Sequence, residues 1–218
     1  MDIIKAFKNN RKGSDMKKMI FAVAAALSMV QLHAGHDGYF QLSVFSPGEL
    51  PSASSTIKGA RLSLLCGQCE EFYGLDVSMV GFVSGSMYGA QPGVLWNDVG
   101  IDAYGLQVSC MNYVKGDFFG CGFALGNVTR SDACGFQCGV YNHVSGDMFG
   151  CQLGLGNVAV GNAYGFQGGI YNHASGCMRG FQLGVMNWSG DLAGCQIGLA
   201  NIVTSRSVVA LPILNVGW

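Results

Sequence analysis

The chain has 218 residues, a formal net charge of −1, 11% charged residues, 50% hydrophobic ones and 34 glycines. Charge this sparse and nearly balanced excludes a basic stripe for nucleic acid, and glycine this dense argues against long helices. Beyond the first residues no apolar run reaches the roughly 20 residues of a membrane-spanning helix, so any contact with lipid must be made by strands.

Residues 1–34 read as a removable leader. Met16–Ala34, MKKMIFAVAAALSMVQLHA, has a basic start, an apolar run and a small residue before Gly35, the pattern of a secretory signal peptide. Met1–Asp15 is either an extended basic start to that signal or a start codon placed too early. Residues 35–218 then form a single repeat-built β domain, mildly acidic once the basic leader is gone.

Tyr39–Phe45, YFQLSVF, alternates apolar and polar residues as one strand, and the longest connection, Ser46–Thr56, follows it. GARLSLL, GLDVSMV and GAQPGVL then open at Gly59, Gly74 and Gly89. Seven fuller copies follow: GLQVSCMN, GCGFALGN, GFQCGVYN, GCQLGLGN, GFQGGIYN, GFQLGVMN and GCQIGLAN, from Gly105, Gly120, Gly135, Gly150, Gly165, Gly180 and Gly194. The spacing is fifteen residues, with one extra before Gly105 and one fewer at the last step. Ser207–Trp218, SVVALPILNVGW, alternates again. A repeat this regular must bury one face of each unit against its neighbours.

Side chains alternate along a strand. In the Gly150 copy this puts Phe149, Cys151, Leu153, Leu155 and Asn157 on one face and Gly150, Gln152, Gly154 and Gly156 on the other. Two architectures fit. In a β-solenoid of fifteen-residue period the apolar face is a dry core, asparagines stack in a ladder, and the Gly/Gln face offers a flat binding surface. In an antiparallel meander each repeat is one strand and a turn. The residues flanking each asparagine alternate in size over thirty residues, as in Tyr141, Gly156 and Tyr171, or His143, Val158 and His173, which is what alternate ends of an up-and-down sheet would give.

The expected fold is therefore all-β, an antiparallel up-and-down transmembrane β-barrel of about 12 strands, closed to remove its edges. Gln91, Gln107, Gln137, Gln152, Gln167, Gln182 and Gln196, with Arg61 and Asp76, would line its lumen. Tyr73, Tyr88, Tyr104, Phe119, Phe149 and Tyr164 would form an interfacial aromatic girdle. Pro92 and Pro212 fit such strands poorly, since each removes a ladder donor.

The G-x-Q-x-G-x-x-N copies, from Gly59 to the end, resemble bacterial surface-repeat proteins built of GLQIGLVN-like units. Trp218, with apolar residues at alternate positions before it, resembles the terminal strand of bacterial outer-membrane barrels, whose last aromatic is read by the assembly machinery. The resemblance implies the cell outer membrane as location, with membrane lipid and the barrel-assembly machinery as partners, and no assigned chemistry.

No catalytic constellation stands out. His143 with Ser145 and His173 with Ser175 lack a recurrent acid, because Asp147 in one copy is Cys177 in the other. Asp117, Asp132, Asp147 and Asp191 sit in turns without the G-G-x-G-x-D spacing of calcium-binding β-rolls. Cys66 and Cys69 form a lone C-x-x-C, and the remaining cysteines stand mainly where sister copies carry Phe, Leu, Ile or Val, so they read as small hydrophobes. The expectation is a non-enzymatic structural or passive pore-type protein without cofactor or metal, or alternatively a secreted or surface-displayed solenoid that binds a partner.

Overall fold

The computed structural model describes residues 37–44, 49–50, 54–206 and 210–218; the leader expected over 1–34 lies outside the described residues. The strands are β1 (Asp37–Ser43), β2 (Glu49–Leu50), β3 (Thr56–Cys69), β4 (Phe72–Val83), β5 (Met87–Val99), β6 (Ala103–Val108), β7 (Met111–Val114) and β8 (Phe118–Phe123). They continue as β9 (Gly126–Thr129), β10 (Ala133–Cys138), β11 (Tyr141–Val144), β12 (Met148–Leu153), β13 (Gly156–Ala159), β14 (Ala163–Val203) and β15 (Ala210–Gly217).

Repeat pairs with repeat in parallel and in register. Gly150 of β12 pairs with Gly135 of β10 and Gly165 of β14, and Asn142 of β11 pairs with Asn127 of β9 and Asn157 of β13. The fold is a β-solenoid in which each fifteen-residue repeat is one coil. This overturns the antiparallel twelve-strand transmembrane barrel, and the porin-like lumen goes with it. Among the described residues antiparallel pairing occurs only at the two ends, between β1 and β2 and between β14 and β15.

A corner in each coil breaks the single-strand alternation. In the Gly150 coil β12 runs to Leu153, the chain turns at Gly154 and Leu155, and β13 returns from Gly156. That turn resets the parity, so Gln152 and Asn157, on opposite faces of any single strand, both point inward with Met148 and Ala159. Gly150 turns with φ +122°, and a Cβ there would stand 2.1 Å from the Gly135 carbonyl oxygen. Only glycine tolerates that conformation and that approach. Gly154, at the corner, is held against Gly139 in the same way, its Cβ position 2.5 Å from the Gly139 carbonyl oxygen.

The thirty-residue alternation has a packing cause. A Cβ on Gly156 would meet Tyr141 Cδ2 at 3.2 Å, and one on Gly126 would meet Met111 Sδ at 2.6 Å. A bulky residue thus leans over the glycine of the next coil, which produces a period of two coils in a wholly parallel stack.

The narrow interior is half polar. Apolar columns such as Phe72, Met87, Ala103, Phe118, Ala133 and Met148 run beside Val83, Val99, Val114 and Val144. Next to them in-register stacking brings identical amides to the strand spacing of roughly 4.8 Å, where each can donate to its neighbour. Asn142 Nδ2 donates to Asn157 Oδ1 at 2.8 Å and to the Leu153 carbonyl at 2.9 Å, which ties the next coil's corner. Asn157 repeats this toward Asn172 and Gly168, both at 2.9 Å. Pro212 lies in β15, the capping strand, beside Ile213 at φ 72° and a register shift at Gly198/Asn201. An edge strand tolerates the missing donor. Pro92 lies in β5 close to the slip in pairing with β4 between Ser78 and Val80.

Candidate functional surface

The residues expected to line a lumen are brought together, but as a buried column. Gln91, Gln107, Gln137, Gln152, Gln167, Gln182 and Gln196 are at most 4% exposed, as are Arg61 and Asp76. Gln152 Nε2 donates to Gln137 Oε1 and Gln167 Nε2 to Gln152 Oε1, each at 2.9 Å, and Gln182 and Gln196 continue the chain at 2.7 Å. These amides donate toward the N-terminal end, whereas the asparagines donate toward the C-terminal end, so the two ladders oppose each other's dipoles. Where Gly122 interrupts the column, Gln137 turns to Thr129 Oγ1 at 3.1 Å.

Arg61 and Asp76 take two places in this column. Arg61 Nε donates to Asp76 Oδ1 at 2.7 Å and Nη2 to Oδ2, while Nη1 donates to the Phe82 carbonyl and to Cys69 Sγ, both at 3.0 Å. Gln91 Nε2 donates to Asp76 Oδ2 at 3.0 Å, joining the pair to the amide ladder. The guanidinium lies 5.5 Å from the Phe72 ring centroid. Burial works against its charge, and the hydrogen bonds and charge of Asp76 outweigh that, so its pKa is held above the usual arginine value. Such a pair is structural: no solute reaches it.

The apolar face, assigned to a dry core in the solenoid alternative, is outside. On the long face, formed by β12 and its equivalents, as the short face is by β13 and its equivalents, Tyr73, Tyr88, Tyr104 and Phe119 stack with centroids 4.7, 4.8 and 5.0 Å apart, and Phe149 and Tyr164 at 4.7 Å. Arg179 continues this column over Tyr164 at 5.5 Å. The expected girdle is thus a column along the solenoid, two runs of stacked aromatics at strand spacing separated by Cys134. Beside it run further exposed apolar columns, as at Leu75, Leu106 and Phe181 or Val77, Phe123 and Leu183.

At the corner Leu125, Val140, Leu155, Ile170, Val185 and Leu199 form an aliphatic ridge, with Leu155 56% and Leu199 74% exposed. The signal was in the sequence, an aliphatic residue five places after nearly every glycine, but single-strand parity hid its meaning. On the short face Tyr141 Oη lies 3.3 Å from His143 Nδ1, and His143 Nε2 lies 3.2 Å from Ser145 Oγ; the Tyr171, His173, Ser175 series repeats this at 2.9 and 2.8 Å. Burial lowers the pKa of both histidines, with Arg130 adding to the effect at His143. A tyrosine occupies the place where a hydrolytic triad carries its acid.

A row of turn acids lines the opposite edge. Asp102 Oδ1 accepts from the Asp117 backbone N–H at 2.8 Å, Asp117 from Asp132 at 3.0 Å, and Asp132 from Asp147 and Asp147 from Asn162 at 2.7 Å each. The turn acids therefore clamp successive coils, and among the described residues no group of three or more His, Cys, Asp or Glu is placed to hold a metal. Cys66 and Cys69 do not act as a pair, because Cys69 lies in the interior against Arg61 while Cys66 is half-buried. Cys138, half-buried between Phe123 and Leu153, stands as a small hydrophobe, whereas Cys134, between Phe119 and Phe149, is exposed. Trp218 stands wholly exposed beyond β15. Compared with protein families, curated proteins and solved structures, the chain finds no match.

Proposed function

We propose that the protein is a surface-displayed, non-enzymatic β-solenoid that acts as a binding module through its uncharged outer cover. One observation carries this reading. From the residue after each repeat glycine to the residue after its asparagine, from Gly105 to Ile202, no side chain is charged, although large apolar residues such as Phe181, Leu183 and Leu199 are more than half exposed there. A monomer's largest apolar patch is roughly 300–600 Å². Six steps of about 4.8 Å separate Gly105 from Gly194, and the eight uncharged residues of each coil extend roughly 26 Å at about 3.3 Å apiece, so a cover of about 29 Å by 26 Å exceeds that range. The leader expected from the sequence of residues 1–34 and the resemblance to bacterial surface-repeat proteins support display at the cell outer membrane.

The test is labelling of intact cells with a membrane-impermeant amine reagent and with protease. The expected outcome is reaction of the solenoid before lysis; reaction only after lysis overturns surface display. Binding through the cover is tested by Phe181→Lys with Leu183→Lys, which should detach the folded protein from the cell surface. Unchanged attachment overturns that role for the cover.

A further inference from the structure

We infer that the partner of the apolar cover is a lipid leaflet, entered by the aliphatic ridge. This rests on the binding-module reading and names the chemistry of its partner. The ridge residues Leu125, Leu155, Ile170 and Leu199 lie at the corner between the long and short faces, and the apolar cover continues from the ridge onto both. A second copy docking on the flat long face would leave the ridge and the short face bare. A fluid leaflet follows a convex edge and covers all three.

The placement of charge supports the same occupant. Asp102, Asp117, Asp132 and Asp147 occupy the turn at the far end of the coil from the ridge. A six-residue strand such as β12 spans roughly 20 Å, so a ridge inserted by about 5–10 Å, the depth reached by interfacial amphipathic elements, leaves these carboxylates in water. The sides of the coil also meet an apolar medium without penalty to the peptide groups. Among the described residues the strand amides and carbonyls bond from coil to coil, as between β10, β12 and β14 and between β9, β11 and β13. The described region carries six Lys and Arg against eleven Asp and Glu, so attachment depends on apolar insertion rather than attraction to anionic headgroups.

The experiment uses the full exported chain with Trp96, Trp188 and Trp218 replaced by Phe, and phosphatidylcholine vesicles carrying brominated acyl chains. A Leu155→Trp reporter on the ridge should shift its emission to the blue and be quenched. A Val160→Trp reporter, in the turn toward the ionic edge, should do neither. Binding should persist at about 0.5 M salt, where surface electrostatics are screened. Val140→Lys with Ile170→Lys should weaken it by roughly tenfold or more while the β-type circular dichroism and melting curve stay unchanged. Absence of Leu155→Trp quenching, or equal quenching of both reporters, overturns the inference. If the unbound protein is then a dimer by sedimentation equilibrium and the ridge-lysine variant is a monomer, the occupant is a second copy and the binding-module reading stands. A monomer that ignores vesicles removes the lipid partner and leaves that reading to the intact-cell assays.

Discussion

Replacing Gln152 with Lys, and separately Leu153 with Lys, decides which side of the strand holds the solenoid together. Gln152 is 0% exposed, donates to Gln137 at 2.9 Å and accepts from Gln167 at 2.9 Å. Lysine at 152 cannot accept, so the Gln167 amide loses this acceptor and an ammonium is placed in the interior. Each buried group left without its partner costs about 1–3 kcal/mol, and burying the charge, or neutralising it, adds several more. A loss of roughly 5 kcal/mol or more would match the whole stability of many domains. Leu153 points outward and is half-buried, so its replacement should cost within about 1 kcal/mol. Urea unfolding followed by circular dichroism, with limited proteolysis to locate the break, reads the difference. If Leu153→Lys proves the more damaging, the polar-inside assignment is wrong and the apolar core is restored.

Gly150→Ala should lower the melting temperature well beyond an ordinary surface change, because φ +122° and the Gly135 carbonyl at 2.1 Å leave no place for a Cβ; unaltered melting would contradict the close stacking of coils. Asp76→Asn leaves the Arg61 guanidinium buried without its counter-charge and should cost about 3–5 kcal/mol, whereas Arg61→Gln with Asp76→Gln, which extends the amide ladder, should recover much of it in a double-mutant cycle. The lowered pKa values of His143 and His173 mean that the unfolded chain takes up protons first as pH falls. Their contribution is therefore complete above the ordinary histidine value of 6.5 and lost as pH drops through it toward the folded values. The double variant His143→Gln, His173→Gln should flatten stability against pH between about 7 and 5, and an unchanged slope would refute the burial of these rings.

Glycine spacing, the asparagine ladder of the solenoid alternative and the small-hydrophobe place of Cys138 were legible in the chain, because in-register stacking writes the same residue type at the same step of successive repeats. The inward glutamine column was also visible as a group, but its surroundings were not. Sequence parity assumes one unbroken strand, and a corner of two residues, as at Gly154 and Leu155, inverts every assignment beyond it.

By itself the sequence determined a fifteen-residue β unit and the columns that repeat at fifteen-residue spacing. Only the tertiary structure decided that the units pair in parallel, that the amides are inside and that the aromatics and aliphatics are outside. The reason is physical. A strand's alternation separates two faces without saying which is buried, and here identical glutamines and asparagines satisfy one another at strand spacing, so a polar face can form the interior of the coil.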